Sequence, residues 1–169
     1  MRYHSGVRHI AAFFLAAALL SFAVIGHGQD ALQAIALRSE AAAAHTEAPL
    51  IYAHVGGVTL EILLAPNSSA EAFSELLAKG DILVEMLDYG NFEKVGDIGT
   101  TLPANNERIT TEPGDVILWM GNSISIYYDV NTWDLTRLGK VQRVSQEELK
   151  AVLGKGDVTV IFSLSKSVE

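Results

Sequence analysis

Hydrophobic and polar residues alternate along much of the chain after residue 50, with the period of two that is typical of β-strands. The clearest case begins at Val58, from which every second residue up to Leu64 is apolar. A continuous apolar run at residues 116–120 instead indicates a strand that is covered on both faces. Strands are predicted at residues 51–55, 58–64, 82–86, 116–120, 124–128, 136–141 and 158–164.

Two segments between these strands follow the helical period instead. Ser68 and Glu71 have the spacing of a capping box, in which each residue satisfies a free amide at the start of a helix. Ser145 and Glu148 repeat this spacing, and Gly154 is expected to end the second helix. About seven strands with two short helices predict a mainly β fold, a small closed barrel capped at its ends, since closure removes exposed strand edges.

Residues 1–28 have the order of a secretory signal peptide. Arg2 and Arg8 form a basic start, an apolar run covers residues 10–25, and Gly26 and Gly28 provide the small residues of a cleavage site. The run has 16 residues, fewer than the roughly 20 of a membrane-spanning helix. We therefore predict a secreted or periplasmic protein, with an uncleaved membrane anchor as the alternative.

The remaining chain divides into a linker and one domain. Residues 29–49 are rich in Ala, which buries too little surface to fix a helix, so this segment is predicted to be a linker. Residues 50–169 have the length of a common single domain.

Charge and the absence of cysteine exclude several functions. The chain carries 12 basic and 20 acidic residues, and both arginines of the signal peptide are lost on cleavage, so the mature charge is −10. Such a surface repels nucleic acid and anionic membranes, and neither is expected as a partner of the mature protein. Without Cys there are no disulfides, no thiolate metal sites and no cysteine nucleophiles.

No residue pattern indicates catalysis, a metal site or a cofactor. Only His45 and His54 follow the signal peptide, and an isolated His is more often a surface or capped residue than a catalytic base. Trp119 lies in an apolar run and is expected in the core, whereas Trp133 lies in a polar segment, where it either covers the barrel end or lines a groove. Three local carboxylate pairs are expected to be solvated at the surface: Glu85 with Asp88, Glu93 with Asp97, and Glu112 with Asp115.

Three segments resemble the bacterial cyclophilin-like domain family: "LDYGNFEKVGDIGTTLP", "ITTEPGDVILW" and "NTWDLTRLGKV". The resemblance covers about residues 51–165. It implies an eight-stranded barrel closed by two helices, in a family that is distant from the true prolyl isomerases and for which no general activity is established.

The resemblance also implies a set of site residues. The Phe-His-Arg-Val segment of true cyclophilins, whose Arg contacts the substrate carbonyl, is matched most closely by Phe92-Glu93-Lys94-Val95, and their pocket Trp by Trp133. Lys is a mobile point charge without the planar fork of Arg, so the resemblance implies that prolyl isomerase activity is very low or absent. The predicted ligand-binding residues are Phe92, Lys94, Trp133 and Arg137.

These observations lead to three functional hypotheses. The first is an exported, noncatalytic cyclophilin-like protein that binds a peptide or small ligand on its barrel face, where the four predicted site residues would form a positive patch for a carboxylate or carbonyl. The second is a residual peptidyl-prolyl isomerase that uses Lys94. The third is an interaction module of an envelope assembly.

Overall fold

The computed structural model describes residues 49–167, which form nine strands and two helices. The predicted signal peptide (residues 1–28) and all of the predicted linker except residue 49 lie outside the described residues, so both stay predictions. The strands are β1 (Leu50–Val55), β2 (Val58–Leu64), β3 (Ile82–Tyr89), β4 (Glu93–Asp97), β5 (Glu107–Thr110), β6 (Asp115–Trp119), β7 (Ser123–Tyr127), β8 (Thr132–Val141) and β9 (Val158–Ser163), and the helices are α1 (Ser68–Leu77) and α2 (Gln146–Leu153).

Eight of the strands close into an antiparallel barrel. Their order is β2-β1-β9-β3-β4-β7-β6-β8, and β8 pairs back onto β2, where Ile62 lies opposite Val141. Gly139 lies at this closing contact, and a Cβ atom there would be 2.5 Å from the carbonyl oxygen of Leu63. Only a residue without a side chain allows the two strands to approach so closely. The predicted mainly β fold with a closed eight-stranded barrel and two helices is confirmed.

The remaining strand, β5, lies outside the closed barrel and pairs with β8. β8 is twice as long as β6, and its second half pairs with β6 and β2. Its first half leaves β6 and pairs with β5 instead, with Ile109 opposite Trp133. Residues 132–135 were not predicted to be a strand, because polar residues surround Trp133 there. The two-stranded ribbon of β5 and the first half of β8 presents Trp133 beside the barrel wall.

The interior of the barrel is filled by the inward-facing residues of each strand. Ile62, Val84 and Phe162 are completely buried, as the alternating pattern predicts. Phe73 of α1 meets Phe162 edge to face, with ring centroids 5.7 Å apart, so the helix is anchored on the barrel core.

The two helices begin differently. Ser145 forms the predicted capping box with Glu148 at the start of α2, and the helix ends at Gly154 with a φ of +66°. The predicted cap of α1 is wrong by one residue, because Asn67 is the N-cap and its side-chain Oδ1 accepts a hydrogen bond from the backbone N–H of Ala70. Neither helix within residues 49–167 is long and apolar enough to span a membrane.

Candidate ligand-binding groove

A groove of about 380 Å³ lies on the outer face of the barrel, between the wall and the ribbon of β5 and β8. Strand alternation decides which residues reach it. Lys94 pairs with the core residue Ile126 and points inward, so Glu93 and Val95 point outward. The groove is lined by Tyr89, Phe92, Glu93, Val95, Trp119, Tyr127, Asn131, Trp133 and Leu135.

Three large aromatic side chains of the groove are exposed. Tyr89 is 61% exposed, Trp133 57% and Trp119 45%. The expectation that Trp119 belongs to the core is wrong, because it is the last residue of β6, lies on the same outer face as Ile117 and lines the groove. Trp119 and Trp133 are the only tryptophans of the chain. Their indole signals therefore report directly on this surface.

Phe92 organises the floor of the groove. Its ring stacks on Tyr127 with centroids 5.8 Å apart and meets Tyr89 edge to face at 5.9 Å. The hairpin turn before it has positive φ angles at Gly90 and Asn91, an arrangement typical of type I′ turns. A Cβ atom on Gly90 would lie 2.2 Å from the Phe92 ring, so the glycine allows the ring to occupy its place. Phe92, one of the four predicted ligand-binding residues, therefore lies in the groove, and its role in binding stays a prediction.

Glu93 is the charged residue of the groove. It is only 8% exposed, so the expectation of a solvated carboxylate is wrong for this residue. Burial raises the pKa of the Glu93 carboxyl, although the hydroxyls of Ser125 and Tyr127 oppose the rise. Among the described residues, no Lys, Arg or His forms an ion pair with Glu93.

Lys94 does not belong to the groove, and its predicted position on the outer surface is wrong. The side chain is completely buried on the inner side of the wall. Its Nζ lies 3.0 Å from Asp88 Oδ2, donates to the carbonyl of Gly156 at 2.5 Å and lies 5.6 Å from the ring centroid of Tyr128. The hydrogen bond from Tyr128, with that from Lys94, lowers the pKa of Asp88. Lys94 is thus held inside the barrel by three contacts.

Arg137 faces outward but is held away from the groove. It lies opposite Ile117, which packs with Tyr127 and Leu135 on the outer side of the wall. The Arg137 guanidinium donates to Asp115 Oδ2 at 3.0 Å. Asp115 is 2% exposed and also pairs with Lys140, so the expectation of a solvated carboxylate is wrong here too. Of the four predicted site residues, the structure brings only Phe92 and Trp133 together in the groove. A positive patch at this surface is contradicted.

Sequence reasoning missed Tyr89, Glu93, Trp119 and Tyr127 as members of this surface. One signal could have found Glu93: the residues of β4 alternate between the two faces of the wall, so Lys94 and Glu93 cannot both face outward. Which of them does so depends on the register with β7. That register is a contact between distant parts of the chain, which the local pattern does not contain.

A second concavity, of about 480 Å³, lies near His54 and the Gly56-Gly57 turn. The two ring nitrogens of His54 contact Thr59 Oγ1 at 3.0 Å and the carbonyl oxygen of Ser165 at 3.1 Å. The ring is therefore occupied by structural hydrogen bonds. No group of three or more His, Cys, Asp or Glu side chains within residues 49–167 is arranged to hold a metal ion.

Comparisons with known proteins agree with this fold. Residues 53–163 match the cyclophilin-like family, and the chain belongs to that family. The solution structure of a hypothetical protein from Archaeoglobus fulgidus is similar to the chain, with a TM-score of 0.52 and 13% identity over 72% of this chain and 98% of the archaeal one. At this identity the likeness shows the fold alone. No curated protein matches the chain significantly.

Proposed function

We propose that this protein is an exported cyclophilin-like domain that binds a peptide or small ligand in the outer groove without catalysing a reaction on it. The observation that carries the proposal is the exposure of Trp119 and Trp133 on one concave surface of about 380 Å³. Exposed aromatic side chains that converge on a concave surface are typical of ligand sites, since a folded protein otherwise buries such area.

The position of Lys94 favours binding over isomerisation. An isomerase must supply a fixed donor to a prolyl substrate, because rotation about the bond faces a barrier of about 20 kcal/mol. Lys94 is enclosed by Asp88, Gly156 and Tyr128, and Arg137 is bonded to Asp115. Neither cation among these predicted residues is free to meet a carbonyl in the groove.

Export is supported by the sequence alone. The basic start, the apolar run and the small residues before Gln29 are the features that a signal peptidase recognises. Mass spectrometry of the periplasmic or secreted fraction should find a mature chain that starts at or near Gln29. A full-length chain confined to the membrane fraction would instead support the anchor.

Tryptophan fluorescence tests ligand binding directly. We expect a panel of short blocked peptides with aromatic, proline or basic side chains to include members that shift or quench the emission of the wild-type protein. Trp119→Phe and Trp133→Phe should each weaken the binding of those members, and a standard prolyl-peptide assay should show no acceleration. A silent panel would contradict the binding proposal. An acceleration that Phe92→Ala abolishes would instead support the isomerase, and saturation only by an envelope protein would support the interaction module.

A further inference from the structure

We propose that the groove selects an organic cation, an ammonium or guanidinium group, with Glu93 as its counter-ion and the aromatic rings as its walls. This inference rests on the proposed binding function and specifies the chemistry of the ligand. The cation is supplied either by a free small molecule or by a Lys or Arg side chain of a peptide. Both sources present the same charge to the groove.

The first support is the contrast between two buried carboxylates. Glu93 and Asp115 are the acidic residues that are less than a tenth exposed in the part of the chain that the structure describes. Asp115 contacts Arg137 and Lys140, each at 3.0 Å. Glu93 contacts no cation among the described residues, and it faces the groove. A buried carboxylate without a cation is costly, and a bound cation would offset that cost.

The second support is the aromatic lining. The faces of aromatic rings attract cations, and the indole ring does so most strongly. Trp119, Trp133 and Tyr89 expose their rings around Glu93, while Phe92 and Tyr127 form a stacked floor. An ammonium or guanidinium group would exchange its water for ring faces and one carboxylate. Rings and a carboxylate at one site complement a cation, whereas an anion would be repelled by Glu93.

Arg108, the cation nearest to Trp133 among the described residues, repels a bound cation only weakly. Arg108 lies 5.9 Å from the ring centroid of Trp133, but it also pairs with Asp134 at 3.6 Å, and both side chains are largely exposed to water. Water and salt screen such a pair, so it contributes little to the field in the groove. The chain as a whole carries a net charge of −8, which attracts cations over longer distances.

Calorimetric titration with matched probes tests the inference. Choline is compared with 3,3-dimethylbutan-1-ol, its uncharged isostere, and acetyl-Gly-Lys-Gly-amide with the same peptide carrying norleucine. We expect choline or the Lys peptide to bind roughly tenfold more tightly than its neutral counterpart, since a buried carboxylate and ring faces each favour the charge. The preferred cation of the two identifies the source.

Glu93→Gln should remove this preference while leaving the fold intact, as judged by its thermal transition. Glu75→Gln, on the exposed face of α1, removes the same charge at a distance and should leave the preference unchanged. Unchanged discrimination in Glu93→Gln would overturn the inference. Equal binding of charged and neutral probes would also overturn it but leave the binding proposal standing. If no probe binds and the peptide panel is silent as well, both proposals fail.

Discussion

Replacing Lys94 with Met tests the assignment of this residue to the barrel interior. Met has a similar length and no charge, so the substitution removes the cation and leaves most of the apolar contact area. The ammonium group makes an ion pair with Asp88, a hydrogen bond with the Gly156 carbonyl and a cation–π contact with Tyr128. All three interactions are lost together, and the Asp88 carboxylate loses its counter-charge.

The loss in the free energy of unfolding should be large for a single substitution, because Lys94 is completely buried. Removing one partner of a fully buried ion pair costs about 3–5 kcal/mol. The Asp88 side chain is 25% exposed, so water can solvate it in part, and we expect the lower end of that range, about 3 kcal/mol. For a domain of this size, about 3 kcal/mol corresponds to a decrease in Tm of roughly 12 °C.

Urea unfolding across a pH series is the assay. The folded state lowers the pKa of Asp88 below its usual value of 3.8, so this carboxylate contributes stability above that pH. The contribution is lost as the pH falls through the folded-state pKa. The difference between wild type and Lys94→Met should therefore be largest near neutral pH and shrink below about pH 3.8.

Two control variants define the outcome. Lys79→Met, at an exposed position after α1, should change stability by less than about 0.5 kcal/mol. The double variant with Asp88→Asn should recover part of the loss, since no buried charge is then left without a partner. A loss no larger than that of the exposed control would refute the interior position of Lys94 and reopen its role in the groove.

Three further substitutions test the groove and the core. Glu93→Gln should be more stable than wild type near pH 8. Burial raises the pKa of the Glu93 carboxyl, so at that pH the wild-type folded state has to hold a buried charge. The gain in stability should vanish in acid denaturation curves below about pH 4.5, where the wild-type carboxyl is protonated in both the folded and the unfolded state. Gly90→Ala should cost about 1–3 kcal/mol in urea unfolding and weaken binding, because φ is +59° and the new methyl group displaces Phe92. Phe73→Ala should cost about 3–5 kcal/mol without changing affinity, because the lost contact with Phe162 lies in the core; a parallel loss of binding would contradict the separation of core and groove.

Much of the barrel could be predicted from local pattern. Alternation of apolar residues placed β2, β7 and β9 nearly to the residue, because each has one face in the core and one toward solvent or the ribbon. β5 was not predicted, since only Ile109 of its four residues is apolar. Its strand conformation depends on pairing with β8, a contact between segments that are more than twenty residues apart.

The site was harder to predict because it depends on which way each side chain points. The prediction that placed Lys94 on the outer face rested on resemblance alone, but the register of β4 turns Lys94 inward and Glu93 outward. As a result, the site was predicted to be positively charged, whereas the charged side chain that lines the groove is the carboxylate of Glu93. Trp133 could be picked out from the sequence because a large aromatic residue in a polar segment has few ways to be buried, and it is 57% exposed; its role in binding stays a prediction.

The proposed cation-binding surface on the barrel is formed by Trp119, Trp133 and Glu93. The most direct measurement is a ¹H–¹⁵N NMR titration of the wild-type protein with choline, in which the two indole signals and the backbone amide of Glu93 are followed. We expect all three signals to shift along one saturable curve, while the signals of the barrel interior around Lys94 stay in place. Indole signals that do not move, or shifts centred on Lys94 or His54 instead, would contradict the proposed surface.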